Sequence, residues 1–285
     1  MRIVTYNIQY GTGKDGRVDL RRIAADIGDA DVIALQEVER HFSGTGDTDQ
    51  AAELAELFPE HYWVYGAGVD MDAASPEARG RRRQFGNMLL ARWPVLSSRN
   101  HLLPKIAYVD HLALQRSALE GVIETPLGAM RFYSVHLGHV GAAERARQIA
   151  ALMAIVFDGP DNGGVVSGNK ASRHWTADQS LPPMPKPAVL LGDFNLSPLD
   201  SEYELLVGGT DTKYGRLTTT RHLIDAWTAT GHAPLEGLTC YEHPGEAPRI
   251  DYAYLTPDLA KRISAISVGA DTQGSDHQPL YLDLA

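Results

Sequence analysis

The opening of the chain constrains its fold more than any other stretch. Residues 3–8 form an almost unbroken apolar run, the pattern of a buried strand that closes at Asn7. Residues 18–30 then repeat apolar side chains at helical spacing, with Leu20, Ile23, Ala24 and Ile27 on one face, and residues 31–35 return to a strand. Strand, helix, strand in such quick succession is the signature of an α/β architecture.

The remainder supplies the second half of the expectation. A helix fits residues 49–57 and a strand residues 62–65, after which strand follows strand from Phe85 to His136. Residues 118–124 and 131–137 are joined by the turn Thr125-Pro126-Leu127-Gly128, so antiparallel pairing is expected there. Residues 142–157 read as a helix, 188–191 as a strand and 198–206 as a helix. Strands are expected at 249–255, 263–268 and 280–284. Between them, residues 158–187 break all periodicity and carry Pro182, Pro183, Pro185 and Pro187, the mark of a long irregular insertion. Two halves that each mix strands with helices predict two sheets packed face to face with helices outside.

Bulk properties narrow the function. A chain of 285 residues with 44% hydrophobic residues can bury a large core without disulfides, and its one cysteine, Cys240, cannot form an intrachain bridge. No apolar run is long enough to cross a bilayer, and residues 1–6 enter a strand pattern with no room for a secretory signal, so a cytoplasmic location is expected. The net charge of −10 argues against many phosphate contacts along nucleic acid, which need a basic face. The dense basic run Arg79-Gly80-Arg81-Arg82-Arg83 reads first as a solvated loop and second as a rim that recruits an anionic substrate.

Polar residues interrupt the apolar strands at their ends, where layered α/β proteins open their sites. Asn7 closes the first strand, and Glu37 is expected to close another in Leu35-Gln36-Glu37-Val38. An amide and a carboxylate are hard-oxygen donors, suited to Mg²⁺ rather than zinc. In Gly192-Asp193-Phe194-Asn195 a buried strand runs into a turn presenting an acid and an amide; the acid can take a proton from water while the amide holds phosphoryl charge. Arg249-Ile250-Asp251-Tyr252 and Ser275-Asp276-His277 together offer a carboxylate–imidazole pair, and His136 ends the strand Phe132-Tyr133-Ser134-Val135-His136. Arg116 precedes that strand pair and is a candidate substrate contact, with solvation as the equal alternative. Asn87 and Asp225 are candidate supporting groups. His136 and His139 do not suggest zinc, because no cysteine or third histidine stands nearby.

These motifs, in this order, resemble the endonuclease/exonuclease/phosphatase superfamily, which includes pancreatic-type DNase, AP endonucleases, neutral sphingomyelinases and inositol polyphosphate 5-phosphatases. The resemblance runs from residue 3 to residue 280. It implies a DNase I-like four-layer α/β/β/α sandwich, with residues 1–285 as a single domain and 158–187 inserted into it. It also implies site roles. Glu37 would be the principal ligand of Mg²⁺ or Mn²⁺, with Asn7 beside it and Asp276 completing the shell. Asp193 would orient or deprotonate water, with Asn195 as its partner on the phosphate. His277 paired with Asp251 would contact the phosphate, as would His136, which in DNase-like members also protonates the leaving oxygen.

The expected activity is metal-dependent hydrolysis of a small or lipid-like phosphodiester. A DNA or RNA nuclease is the alternative, made less favourable by the acidic charge and by the lack of an aromatic-and-basic stretch. A phosphomonoesterase lacks the extended basic motifs expected around multiply phosphorylated rings. A non-catalytic phosphate-binding scaffold should have lost Glu37, Asp193 or His277, and all three are present. The insertion, entering just before the Asp193 strand, is expected to narrow access to the site. Substrate identity, the choice between the two metals and the oligomeric state are not encoded in these motifs.

Overall fold

The computed structural model describes residues 1–73, 79–168, 173–176, 180–241 and 249–285. In chain order its strands are β1 (Arg2–Asn7), β2 (Val32–Arg40), β3 (Tyr62–Asp72), β4 (Arg82–Ala91), β5 (Val95–Leu102), β6 (Ser117–Thr125), β7 (Gly128–His136), β8 (Ala188–Asp193), β9 (Thr210–Asp211), β10 (Gly215–Arg216), β11 (Ile224–Asp225), β12 (Asp251–Leu255), β13 (Ile263–Val268) and β14 (Leu280–Leu284). Two six-stranded sheets result, ordered β13-β14-β1-β2-β4-β3 and β11-β12-β8-β7-β6-β5. Within them β1 pairs parallel with β2 and β7 with β8, and the remaining ladders are antiparallel.

Period-two alternation decides how the sheets stack. Ile3, Ala34, Leu89 and Leu282 of the first sheet meet Leu119, Phe132, Val189 and Leu191 of the second in one buried cluster between them. The alternate residues face outward and are buried as well. Val4, Tyr6, Ile33 and Leu90 pack against Ile23 and Ile27 of helix α1 (Leu20–Ile27) and Leu54 of α2 (Gln50–Leu57). Tyr133, Val135, Leu190 and Tyr252 pack against Ile149 and Leu152 of α3 (Ala142–Asn162). Short helices α4 (Arg173–Thr176), α5 (Ser201–Val207) and α6 (Ala226–Ala229) follow, and Tyr203 and Leu206 of α5 join that outer cluster. The central strands of both sheets are covered on both faces, which is why they read as apolar runs. The arrangement is the expected α/β/β/α sandwich.

Helix ends differ from the sequence expectation for identifiable reasons. Helix α1 starts later and stops earlier than residues 18–30. Asp19 caps it by accepting from the Arg21 and Arg22 backbone N–H groups at 3.0 and 3.2 Å, and Gly28 ends it at φ 65°. Helix α3 continues past residue 157 to Asn162 despite Pro160. A proline there leaves the carbonyl four residues back without its donor. The buried Arg131 supplies one, with Nη1 at 2.8 Å from the Val156 carbonyl.

Arg131 also reaches the Lys186 carbonyl at 2.8 Å, and Arg99 reaches the Gly163 carbonyl at 3.3 Å. The described ends of the 158–187 stretch are therefore tied to the start of β7 and to β5. In the parallel register Arg131 faces Ala188, five positions from the His136–Asp193 pair at the other end. The expectation that this stretch narrows the site does not hold at these two ends, which lie at the opposite end of the strands from the His136–Asp193 pair.

Candidate active site

Register places the chemistry. In the second sheet Asp193 lies opposite His136 of β7 on one side and opposite Asp251 of β12 on the other. In the first sheet Asn7 ends β1 beside Gln36 of β2. Glu37 follows, but it does not close its strand. Strand β2 runs on to Arg40, and Glu37 sits in a bulge between Leu35 and Val38 with φ 60°. The extra residue turns the carboxylate out of the ladder toward the other sheet. Gly192 is required for equally local reasons: a Cβ there would lie 1.9 Å from the Val135 carbonyl oxygen. Asn195, at φ 50°, closes an Asx turn by donating its backbone N–H to Asp193 Oδ1 at 2.9 Å.

The two sheets meet at Asn7, whose Nδ2 lies 3.0 Å from Asp193 Oδ2 and 3.3 Å from Glu37 Oε1. Its Oδ1 accepts from the Gln9 N–H at 3.1 Å, so the amide nitrogen faces the carboxylates. His136 Nε2 is 3.3 Å from Asp193 Oδ2, and His277 Nε2 is 3.8 Å from the same oxygen. His277 Nδ1 bonds Asp251 Oδ2 at 2.8 Å. Ser275, unremarked as a support in the sequence, holds this segment: its hydroxyl donates to the Asn7 carbonyl at 2.8 Å and accepts from the His277 N–H at 3.1 Å. Thr239 does the same for Asp251, accepting its N–H at 3.1 Å.

A cleft of about 340 Å³ opens over these groups. Asp276, Asn195, Arg116 and His139 line it beside the apolar Phe85, Leu114 and Ile250. Asp276 is brought to the cleft without a direct bond to Glu37 or Asn7 among the described residues; its Oδ1 is 3.1 Å from the Ser275 hydroxyl. Asn87 donates to the Ser117 carbonyl at 2.9 Å and ties the sheets together beneath the cleft, as Gln36 does through Ser134 Oγ at 2.9 Å. Asp225 is a fold support. It pairs with the buried Arg249 at 2.9 Å and accepts from Tyr203 at 2.7 Å. Arg81 and Arg82 pair with Asp47 and Asp70 at 2.7 and 2.8 Å, and none of the basic run lines the cleft.

Burial sharpens the electrostatics. Burial alone would raise the Asp193 carboxyl, but the His136 and His277 imidazoles and the Asn195 N–H hold it well below the usual carboxylate range. Burial pushes Glu37 up to about 7 against the pull of Arg116 and His277. Burial and the Arg116 guanidinium push His136 down to about 4, so it is neutral. His277 behaves in the opposite way. Burial opposes its charge, yet Asp251 holds it well above the ordinary histidine value. Burial in turn pushes Asp251 up to about 6. Ligand atoms of Asp193, Asp251 and His277 converge within 4.8 Å, a spacing that could hold a cation. His277 already shares a proton with Asp251, however, which makes this trio a proton-holding pair beside an anion.

The sequence of residues 4–277 matches the Endonuclease/Exonuclease/phosphatase family. The chain belongs to that family. Solved members of this fold agree in architecture. An endonuclease/exonuclease/phosphatase from Beutenbergia cavernae is 26% identical at a TM-score of 0.69, covering 100% of this chain and 71% of its own. The mannosyl-6-phosphatase of Bacteroides thetaiotaomicron is 16% identical at a TM-score of 0.65, over 100% of this chain and 99% of its own. TDP2 of D. rerio, solved with a single-strand DNA product, is 15% identical at a TM-score of 0.62, over 100% and 98% respectively. No curated protein matches the chain. Endonuclease/exonuclease/phosphatase members are phosphoric ester hydrolases, and the chain is a hydrolase of this superfamily with the DNase I-like fold.

Proposed function

We propose that this family member is a Mg²⁺- or Mn²⁺-dependent phosphodiesterase for small or lipid-like diesters, acting as one domain over residues 1–285. The observation that carries this reading is Asp193: a buried carboxylate kept ionised between a neutral imidazole and an imidazolium, 3.3 and 3.8 Å away. Such a group accepts a proton from water, or orients that water, next to donors that hold phosphoryl oxygens.

A divalent cation fits the residues present. Glu37 keeps 19% of its side chain open, and among the described residues only the neutral His136, at 3.9 Å, comes within ion-pair distance of it. A buried carboxylate without a cationic partner is stabilised by a bound ion. Glu37 and Asp276 would hold it by carboxylate oxygens, and Asn7 would join them by Oδ1 once its amide turns over, since Nδ2 now faces Glu37. The chemistry such an ion supplies is neutralisation of charge on the phosphoryl oxygens.

The other roles belong to the chain itself. His277, charged by Asp251, donates to a phosphoryl oxygen and carries the mobile proton nearest the reacting group. His136 is a neutral donor to the phosphate or the departing oxygen. Asn195 uses one amide hydrogen on the Leu137 carbonyl at 3.1 Å and keeps the other for substrate. Apolar walls at Phe85, Leu114 and Ile250 suit the ester groups of a small diester. The free, buried Cys240 and the absence of a helix able to cross a membrane among the described residues fit a cytoplasmic enzyme.

The test is a substrate panel of bis-p-nitrophenyl phosphate, p-nitrophenyl phosphate, sphingomyelin and plasmid DNA with Mg²⁺. Faster turnover of the diester or the lipid than of the monoester and the plasmid is expected. Preferential monoester hydrolysis would overturn the assignment.

A further inference from the structure

Arg116 is 5% exposed, lines the cleft and pairs with no carboxylate within 4.0 Å among the described residues. Its two terminal nitrogens instead reach imidazoles, Nη1 at 3.1 Å from His136 Nδ1 and Nη2 at 3.1 Å from His139 Nδ1. Its Nε is buried without a partner. A guanidinium carries donors only, so both Nδ1 atoms must be acceptors. Each ring is then neutral with its proton on Nε2.

His139 is exposed at the mouth of the cleft while His136 lies at its floor. The backbone that carries His139 is also fixed. Gln148 of α3 accepts from the Gly138 N–H at 2.7 Å, and Arg145 reaches the Gly138 carbonyl at 3.4 Å. The Phe85 ring lies with its centroid 5.9 Å from the Arg116 guanidinium carbon. The result is a rigid fork. One buried cation sets the tautomer of two histidines, three positions apart: His136, whose protonated Nε2 lies 3.3 Å from Asp193 Oδ2, and the exposed His139, whose Nε2–H no described residue takes up.

We propose that Arg116 is a positioning residue that fixes both imidazoles in the Nε2–H form, and that His139 is thereby a second substrate-contacting donor. Resting on the phosphoester reading above, His139 holds an acceptor oxygen on the mouth side of the phosphorus, while His136 keeps its Nε2–H toward Asp193 and the reacting group. The positive charge that attracts the anion stays behind the two rings. Arg116 therefore strengthens the fork from the wall of the cleft, with both terminal nitrogens committed to the imidazoles.

Long-range ¹⁵N–¹H correlation spectra of the imidazoles in the intact protein test this directly. The Nε2–H tautomer is expected at His139, with mixed tautomers in Arg116→Gln, and inorganic phosphate should shift the His139 Nε2 signal in the wild type only. Kinetics give the second arm. His139→Ala should raise KM for bis-p-nitrophenyl phosphate by about tenfold, as for one lost hydrogen bond, and by more than it lowers kcat. His139→Gln, which keeps a donor, should recover part of that loss. An Nδ1–H tautomer at His139, no response to phosphate, or an unchanged KM in His139→Ala would overturn the fork. A wild type that hydrolyses no phosphoester would sink the functional reading alone, because the tautomer and phosphate responses are read without turnover.

Discussion

At the scale of single residues, three carboxylates occupy three electrostatic settings. Asp193 is held ionised, so Asp193→Asn should cost on the order of 10²-fold or more in turnover. Asp251 acts through His277, 2.8 Å away, and Asp251→Asn should reproduce much of the loss seen in His277→Ala. Steady-state rates across pH check this: an unchanged rate and profile in Asp251→Asn would dissolve the pair. Glu37 gives a pH prediction of definite sign. Its carboxyl, raised to about 7, is protonated below that value and ligates poorly there. Apparent Mg²⁺ affinity should therefore rise as pH climbs through about 7 and level off above it, and titration calorimetry should show proton release on binding near neutrality. A flat affinity from pH 5 to 9 would remove Glu37 from the ligand set. Most of these residues were legible as polar interruptions in apolar strands. The Asp251–His277 pairing could also be anticipated from two short motifs. His139 was not, because its role depends on a guanidinium 23 positions earlier in sequence that only the folded sheet brings to it.

At the scale of elements, hydrophobic periodicity located nearly every strand and helix of the two sheets, because both faces of each sheet are buried and the apolar runs are long. It failed where one side chain decides. The loss of periodicity after residue 157 suggested a helix end, yet the helix runs on past Pro160, where Arg131 caps the carbonyl that the proline leaves open. The bulge at Glu37 is invisible in a pattern of alternating residues. Strand β5 fell within the expected run of strands from Phe85 to His136 but was not bounded, because its exposed edge carries polar residues such as Ser97, Ser98, Arg99 and Asn100. That edge leads to a second prediction, on stability. Glu120 of β6 is buried under a bidentate contact from Arg99 at 2.8 and 3.0 Å and a Tyr133 hydroxyl at 2.6 Å. Burial would raise its carboxyl, but His101, Arg99 and Tyr133 together lower it to about 2. The stabilisation it provides is complete above the unfolded-state value of about 4.3 and is lost as pH falls toward 2. Glu120→Gln should cost about 3 kcal/mol in urea unfolding at neutral pH and should flatten the acid limb of the stability curve. Equal acid sensitivity in variant and wild type would contradict this.

At the scale of the whole molecule, charge and site placement set the expected substrate. A net charge of −10, with Arg81 and Arg82 of the basic run already paired with Asp47 and Asp70, leaves little to hold a duplex. Cleavage of a small diester should change little between low and moderate salt, whereas duplex cleavage built on many phosphate contacts would fall steeply. Steeply salt-sensitive nicking of plasmid DNA, abolished when Arg81, Arg82 and Arg83 are neutralised, would favour a nuclease instead. The 158–187 stretch does not bear on this choice through its described ends, which are anchored at the opposite end of the strands by Arg99 and Arg131. The central proposal is narrower: Asn7, Glu37 and Asp276 would hold a cation, with Asp193 beside it for hydrolysis. The most direct measurement is the rate of bis-p-nitrophenyl phosphate hydrolysis after EDTA treatment and exhaustive dialysis, followed by addition of Mg²⁺ or Mn²⁺. Loss of activity and its recovery with metal, much weakened in Glu37→Gln at the same metal concentration, is the expected result. Full activity in EDTA after dialysis would contradict the account.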